Sequence, residues 1–326
     1  MRIIITGATG SLGAWLTRYF SQKGHEVIAS GRSKEAPRAL LDYATYLPID
    51  ITKTVDFPDA DVCIHTAALS DDKGRPEDLY LANVTGTKKV AEATANCPLF
   101  VHISSSSVYL PDDNLLTEDM AGHQDNALLS PYGRSKLQSE EMLLETSRHD
   151  ACFVLRPRAL YGVGDKVILP RMLKLTNKDI LNRPGKMKVR ASMTHYSNLA
   201  HAIECCFGQS VKKGTHIYNV SDSEAYLLIE IMRALCTQLY GKPLKERQIP
   251  IALLKILALF KIGGITPLLV RSFTKDMVLD ISKIQQELSY APTATYYSTL
   301  PEMGEWVEKI GGVEVIKTGE KSLAWE

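Results

Sequence analysis

Short apolar runs alternate along this chain with longer segments in which apolar residues recur every three or four positions. The short runs predict strands near residues 2–6, 26–30, 61–66, 99–104, 151–155 and 215–220. The longer segments predict helices between them. Regular alternation of strands and helices is typical of α/β proteins with a doubly wound parallel sheet.

A glycine-rich segment follows the first predicted strand. The residues Thr6-Gly7-Ala8-Thr9-Gly10-Ser11-Leu12-Gly13 precede an amphipathic helix, and the strand at 26–30 completes a βαβ unit. Glycine allows close approach of a ligand to the backbone, and the N–H groups at a helix N-terminus attract phosphate. This turn therefore predicts a site for the pyrophosphate of a dinucleotide.

A second motif, Ser130-Pro131-Tyr132-Gly133-Arg134-Ser135-Lys136, lies well downstream. Serine before proline is typical of an N-cap followed by the first helical residue, so Tyr132 and Lys136 are expected on one helical face. A nearby ammonium group, and a positively charged nicotinamide ring, would favour the phenolate form of the tyrosine. The pair therefore predicts a proton-transfer site, and with the glycine turn it indicates a redox enzyme.

With both motifs in place, the chain resembles the extended short-chain dehydrogenase/reductases, an NAD-dependent epimerase/dehydratase-like family. Nearly the whole chain takes part, and further matching segments are His65-Thr66-Ala67-Ala68, Ile103-Ser104-Ser105-Ser106-Ser107-Val108-Tyr109, Leu155-Arg156-Pro157-Arg158-Ala159-Leu160-Tyr161-Gly162 and Tyr218-Asn219-Val220-Ser221-Asp222. The sequences of the last two segments are most similar to those of 3β-hydroxysteroid dehydrogenase-like reductases.

The expected architecture is a Rossmann-type doubly wound parallel sheet with a smaller C-terminal substrate lobe. The NAD(P)-binding domain is expected over residues 1–161 and completed by about 191–221. The substrate lobe is expected over 162–190 and 222–326. The substrate should bind at the carboxyl ends of the strands.

The resemblance implies a role for three catalytic residues. Tyr132 would be the acid/base, Lys136 would bind the nicotinamide ribose and lower the pKa of the tyrosine, and Ser105 would hydrogen-bond the reacting oxygen. The serine run leaves the last assignment open. Its alternatives are Ser104, Ser106 and Ser107, and strand alternation would point Ser105 and Ser107 to the same side.

The motifs and the resemblance also imply a set of cofactor-binding residues: Gly7, Gly10, Ser11, Leu12, Gly13, Arg32, Asp50, Ile51, Ala67, Ala68, Asn83, Tyr132, Lys136, Pro157 and Arg158. Arg32 follows the second strand, where an acidic residue would bind the ribose of NAD. A guanidinium group pairs well with a 2′-phosphate, so NADP(H) is favoured over NAD(H). Asp50 and Ile51 fit the adenine-contacting pair of the family.

Composition favours a globular enzyme that acts on a small molecule. The 326 residues are 45% apolar with a net charge of +1, enough to bury a large core and without the basic excess that nucleic acid attracts. The six cysteines show no metal-ligand spacing, so no metal site is expected. The chain enters its first strand at once, which predicts no secretory signal and a cytoplasmic location. The resemblance also implies a possible homodimer.

One long apolar stretch runs from Ile249 to Val270. Two lysines, two glycines and two prolines interrupt it, so it is too short and too broken for a transmembrane helix. A buried helix of the substrate lobe is expected here, in preference to a surface for a membrane, a partner or an oily substrate.

Three functions compete. The favoured one is an NAD(P)(H)-dependent oxidoreductase that interconverts a ketone and a secondary alcohol, on an apolar or steroid-like substrate. The second is a nucleotide-sugar enzyme: a dehydratase would need an Asp-Glu pair where Ser106 and Ser107 stand, and an epimerase would hold NAD through an acid that is missing after the second strand. The third is a non-catalytic NADP-binding sensor, although such relatives have usually lost the Tyr/Lys pair.

Overall fold

The computed structural model describes residues 1–70, 74–123, 125–207, 213–260, 262–318 and 325. The strands are β1 (Arg2–Thr6), β2 (Glu26–Gly31), β3 (Thr45–Pro48), β4 (Val62–His65), β5 (Leu99–Ile103), β6 (Ala151–Pro157), β7 (Leu160–Tyr161), β8 (Thr176–Asn177), β9 (Ile180–Pro184), β10 (Arg190–Ser192), β11 (Thr194–His195), β12 (Gly214–Val220), β13 (Ala225–Leu227) and β14 (Lys245–Ile249). The helices are α1 (Ser11–Gln22), α2 (Arg38–Leu41), α3 (Pro76–Tyr80), α4 (Gly86–Ala93), α5 (Pro131–Thr146), α6 (Ile168–Leu173), α7 (Tyr196–Cys206), α8 (Leu228–Tyr240), α9 (Ile251–Leu259), α10 (Pro267–Ser272), α11 (Ser282–Leu288), α12 (Tyr296–Lys309) and α13 (Val313–Thr318).

Seven parallel strands form the central sheet, in the order β12-β6-β5-β4-β1-β2-β3. Helices cover both faces, so the predicted Rossmann-type α/β fold is confirmed. The chain order reverses between β1 and β4, and the carboxyl ends of these two strands border the crevice in which such sheets bind ligands.

Strand β3 is absent from the sequence-based prediction. It lies at the edge of the sheet, is only half-buried and ends at a proline. An edge strand of this kind does not need a continuous apolar run, because only one side of it pairs with a neighbour and proline is tolerated there. The six predicted strands are all present, with bounds that differ by one or two residues.

Two hydrophobic cores lie in different parts of the molecule. The first is built on the sheet, with Ile3, Ile5 and Val101 on one face and Ile4 and Phe100 on the other. The second lies in the C-terminal part and packs α6, α8 and α12 together. The division of the chain into a nucleotide domain and a substrate lobe agrees with this arrangement and stays a prediction.

The expectation of a buried lobe helix in the stretch from Ile249 to Val270 is wrong. Helix α9 buries Leu254 and Ala258 against a small cluster that includes Val270 of α10, whereas Leu259 is 77% and Phe260 71% exposed. The helix is apolar except for Lys255, and the few residues packed on it cover one face only. Within the described part of the chain, no helix is long and apolar enough to cross a membrane.

Candidate active site

The glycine turn between β1 and α1 has the backbone geometry that a phosphate group requires. Gly7 has a positive φ of 72°, and a Cβ atom at Gly13 would lie 2.3 Å from the carbonyl oxygen of Gly7. Gly10 is the N-cap of α1, and no side chain caps the first turn in the described residues. The N–H groups around Ser11 and Leu12 are therefore free of side-chain caps at the positive end of the helix dipole.

The end of β4 lies against this turn. A Cβ atom at Gly7 would be 2.8 Å from the Cα of Ala67, and the N–H of Ala67 donates to Thr6 Oγ1 at 3.2 Å. Ala67 is half-buried and Ala68 is exposed. The structure thus brings these predicted cofactor residues to the crevice at the switch in strand order.

The adenosine end of the predicted cofactor site is basic and open. Arg32 is exposed just after β2. Two hydrogen bonds that Asp50 accepts from the hydroxyl and N–H of Thr52, at 2.8 and 3.0 Å, lower the pKa of the Asp50 carboxyl, and the charge of Arg32 adds a smaller lowering effect. Ile51 is buried beside Gly86.

Asn83 joins the β4 loop to the helix of the Tyr/Lys motif. It lies in a π-helical turn, Leu81–Thr85, within a helical run from α3 to α4. Its side-chain amide accepts from the N–H of Leu69 at 2.7 Å and donates to Ser135 Oγ at 2.9 Å. These bonds fix the loop after β4 relative to α5.

Lys136 is buried at the end of β5. Its Nζ donates to the carbonyl oxygen of Ile103 at 2.8 Å, and only 2% of the residue is exposed. Burial lowers the pKa of the ammonium group to about 8, against the opposing effect of the Glu140 carboxylate. The predicted N-cap is also confirmed, because Ser130 Oγ accepts from the N–H of Gly133 at 3.0 Å. Tyr132, one turn before Lys136, is half-buried.

The serine run leaves the sheet after Ile103 and forms a 3₁₀ turn, Ser106–Val108. Ser105 caps this turn: its Oγ accepts from the N–H of Ser107 at 3.1 Å and lies 3.0 Å from Ser107 Oγ. Ser105 and Ser107 are half-buried, whereas Ser104 and Ser106 are buried. Ser105 and Ser107 are thus the more exposed pair, and the choice of the catalytic serine among the four stays a prediction.

Sequence reasoning missed Gly133, which determines how closely α5 approaches the serine turn. A Cβ atom at Gly133 would lie 2.1 Å from the carbonyl oxygen of Ser107, so no larger residue fits without movement of the backbone. Its position directly after Tyr132 was visible, but its contact with a segment 26 residues earlier was not. This contact places Tyr132 beside the serine turn.

A buried ion pair connects α5 to β6 next to the serine segment. Arg156 of β6 and Glu140 of α5 approach to 2.6 Å, and Glu140 also hydrogen-bonds Ser104. Arg156 donates to Tyr109 OH at 2.6 Å, and Tyr109 in turn donates to Asn219 of β12. Removal of one member would leave a buried charge without its partner, so the network holds α5, β6 and the serine segment in one arrangement.

The carboxyl end of β6 carries the last predicted cofactor residues. Pro157 is buried, and Arg158 donates through Nη1 to the carbonyl oxygen of Ser192 at 2.5 Å. Burial lowers the pKa of Arg158 to about 10, and its Nε has no partner among the described residues. Arg158 can therefore offer a cation and a free donor at this edge of the sheet.

A residue far outside the motifs also contacts the glycine turn. The indole Nε1 of Trp325 donates to the carbonyl oxygen of Ala8 at 3.1 Å, and the guanidinium of Arg18 lies 4.5 Å from the ring centroid. No sequence signal pointed to this contact. The glycine turn, the ends of β4, β5 and β6, and α5 thus carry the predicted cofactor and catalytic residues at the carboxyl edge of the sheet. Among the described residues, no cluster of histidine, cysteine, aspartate or glutamate could hold a metal ion.

The sheet, the glycine turn and the strand-end crevice define the class of NAD(P)-binding oxidoreductases with a Rossmann-type fold. The model of the NAD dependent epimerase/dehydratase family matches residues 3–221, and the chain belongs to that family. It is thus an NAD(P)-dependent enzyme of the extended short-chain dehydrogenase/reductases, as the motifs predicted.

Individual relatives are distant but extend over nearly the full chain. The uncharacterized protein YbjS of Escherichia coli (strain K12) is 28% identical, over 95% of this chain and 99% of its own. The 3 beta-hydroxysteroid dehydrogenase/Delta 5-->4-isomerase of Mycobacterium tuberculosis (strain ATCC 25618 / H37Rv) is 24% identical, over 92% and 89%. The solved UDP-glucuronic acid 4-epimerase of Bacillus cereus, in complex with NAD, shares the fold with a TM-score of 0.74 at 20% identity, over 95% and 99%.

Proposed function

We propose that this enzyme interconverts a ketone and a secondary alcohol, with NADP(H) preferred over NAD(H) and an apolar molecule as substrate. The observation that carries the proposal is the packing of Gly133 on the carbonyl of Ser107. It sets Tyr132 beside the serine turn while Lys136 is held one helical turn deeper.

In the reduction direction, the chain must neutralise negative charge that develops on the carbonyl oxygen of the substrate. Tyr132 donates its phenolic proton to that oxygen, and Ser105 donates a second hydrogen bond to it. The Lys136 ammonium group stabilises the phenolate that remains. A nicotinamide dinucleotide held at the glycine turn and by Lys136 would supply the hydride for the carbonyl carbon. In the oxidation direction, the phenolate accepts the proton of the alcohol.

An apolar substrate is supported by the apolar surroundings of the serine turn. Leu110, Leu116 and Leu129 are buried there with Leu279, and Leu268 of α10 packs against them. The relative from Mycobacterium tuberculosis carries a name that assigns it a steroid substrate. Both observations favour a ketone with a large hydrocarbon part.

A nucleotide-sugar substrate is the second candidate, and Arg158 favours it. Its free Nε could pair with a diphosphate at the end of β6. A panel of UDP-sugars, with product separation by chromatography, would test it: epimerised product without net NADPH consumption would favour this candidate over the ketone reductase.

Substitution of Tyr132 tests the catalytic assignment. The Tyr132→Phe variant retains the ring but lacks the transferable proton, so we expect turnover of a ketone to fall by about 10²-fold or more, with little change in NADPH affinity or Tm. Turnover is measured by NADPH oxidation against a ketone panel. Ser105→Ala should lose less, and the matched control Ser107→Ala should lose least. Near-parental turnover of Tyr132→Phe would refute the assignment and favour a binding protein without chemistry.

Substitution of Arg32 tests the cofactor preference. In the Arg32→Asp variant, the loss of a charge-assisted contact should weaken NADPH binding by about 1.5 to 3 kcal/mol and reverse the preference for NADPH over NADH. Fluorescence titration with both cofactors measures this change. Lys34→Asp, an exposed position two residues further on, is the matched control. Equal affinities of the parent protein for the two cofactors would contradict the proposal.

We further propose a cytoplasmic enzyme that forms a homodimer. Both proposals come from the family resemblance and the composition. Sedimentation velocity of the purified protein tests the homodimer, and a monomer at micromolar concentration would overturn it.

A further inference from the structure

Six large apolar side chains are exposed together on α9 and α10 and the turn between them. We call this set the apolar patch: Leu253, Ile256, Leu259, Phe260, Ile262 and Leu269. Single exposed leucines are common on soluble proteins, but a contiguous group of this kind marks an interaction surface. The covered face of α9 packs on a small local cluster, so the patch is not part of either main core.

The charge of the segment identifies its partner. Residues 247–275 contain five basic residues and no aspartate or glutamate. Lys255 is exposed on α9 within the patch, and Arg247 is exposed just before it. An apolar helix face beside basic residues is complementary to the acyl and headgroup layers of an anionic bilayer.

The geometry favours attachment in the plane of the membrane surface. Helix α9 has nine residues, too few to span a bilayer, and Gly263 and Gly264 turn the chain with positive φ before α10 begins. Both helices can therefore present side chains from the same surface. A second copy of this chain is a poorer occupant, since a two-fold contact would bring two copies of the basic 247–275 segment together.

The patch is also anchored to the region that leads to the serine turn. Arg271 Nε donates to the carbonyl oxygen of Pro111 at 2.9 Å, and Lys275 pairs with Asp113. Leu268 packs against the cluster of Val108 and Leu110. The patch is thus tied to the segment that directly follows the serine turn.

We propose that the apolar patch docks this protein on the surface of an anionic phospholipid bilayer. The inference goes beyond the proposed reaction, because attachment requires neither cofactor nor turnover.

Vesicle flotation of the full chain tests the proposal. We expect the protein to float with vesicles of phosphatidylcholine and phosphatidylglycerol, and to float less with phosphatidylcholine alone or at high salt. The double variant Leu259→Glu/Phe260→Glu should reduce binding by about tenfold or more. Because both side chains are mostly exposed, the variant should keep its Tm. Leu144→Glu, a similarly exposed leucine on α5, is the matched control and should float like the parent.

Three outcomes would overturn the proposal. These are failure of the parent to float with anionic vesicles, flotation of the double variant at the parental level, and sedimentation of the parent as a dimer that the double variant dissociates while neither floats. The last outcome would identify the patch as a contact between copies of this chain. NADPH titration of the same variants separates this proposal from the proposed function. Failure of the patch to bind vesicles would leave the NADPH affinity unchanged, because membrane docking and cofactor binding are independent.

Discussion

The residue with the sharpest steric constraint in the candidate site is Gly133. Its neighbours Tyr132 and Lys136 carry the chemistry, but they can act beside the serine turn only if α5 approaches the Ser107 carbonyl this closely. Helical periodicity predicts that Tyr132 and Lys136 share a face. It contains no information about how closely Gly133 approaches the Ser107 carbonyl, which depends on the 3₁₀ turn after β5.

The Gly133→Ala variant should show this dependence. The added Cβ meets a backbone oxygen, which cannot rotate away, so α5 must shift; we expect destabilisation by about 1 to 3 kcal/mol. Turnover should fall by about tenfold or more, because the proton donor moves relative to the substrate oxygen. Thermal melts and NADPH oxidation measure the two effects.

Gly304→Ala in α12 is the matched control for that variant. Its Cβ would meet the flexible side chain of Gln238, which can move aside, so both Tm and turnover should stay near the parental values. Equal behaviour of the two variants would show that the contact with Ser107 does not constrain α5.

At the scale of elements, the glycine turn is supported from two directions. Strand β4 packs against Gly7 from one side, and Trp325 hydrogen-bonds Ala8 from the other. The contact between the end of β4 and Gly7 is expected, because β1 and β4 are neighbouring parallel strands. The hydrogen bond from Trp325 joins segments far apart in the chain, and it stabilises the glycine turn.

Substitution of Trp325 tests this support. Trp325→Ala removes the ring packed near Leu40 and the hydrogen bond to Ala8, so we expect a loss of about 2 to 4 kcal/mol in unfolding free energy and weaker NADPH binding. Trp325→Phe keeps most of the packing and should lose only about 1 kcal/mol, for the hydrogen bond. Denaturant unfolding and cofactor titration measure these effects. A Trp325→Ala variant with parental stability would show that this contact does not support the turn.

At the scale of the whole molecule, the sheet contains a buried histidine pair beneath the candidate site. His65 and His102 stack with ring centroids 5.4 Å apart, and both are fully buried. His65 lies between Thr6 Oγ1 and Thr87 Oγ1, at 2.7 and 3.0 Å, and His102 Nε2 lies 3.2 Å from Ser139 Oγ. Burial, and then the Lys136 ammonium, lower the pKa of His65 to about 3 and hold that of His102 well below its usual range.

This pair predicts a loss of stability in acid. The folded pKa of His65 lies below the unfolded value of about 6.5, so the unfolded state binds more protons below that pH. Stability should therefore fall as pH decreases from about 6.5 towards 3, by up to about 1.4 kcal/mol per pH unit from His65, with His102 adding in the same direction.

Denaturant unfolding at a series of pH values measures this slope. His102→Phe keeps a stacked ring without a titrating group and should make the slope shallower, whereas His123→Gln, at an exposed position, should leave it unchanged. An unfolding free energy that stays constant between about pH 6.5 and 3 would contradict the lowered pKa values of His65 and His102 in the folded state.

The sequence by itself determined the alternation of strands and helices, the glycine turn after β1 and the helix that carries Tyr132 and Lys136. These features depend on local periodicity, caps and turn residues, which act within a few positions of the chain. The comparisons confirm the family that these motifs predicted, whereas the roles of individual site residues stay predictions.

Only the tertiary structure decided which serines face outward, how closely α5 packs, where Trp325 binds and which side of α9 is covered. Each of these depends on contacts between segments far apart in the chain. The apolar composition of a helix such as α9 predicts that it is buried. Its actual exposure depends on how many residues from other elements pack against it. Here those neighbours cover one face, and the other is exposed.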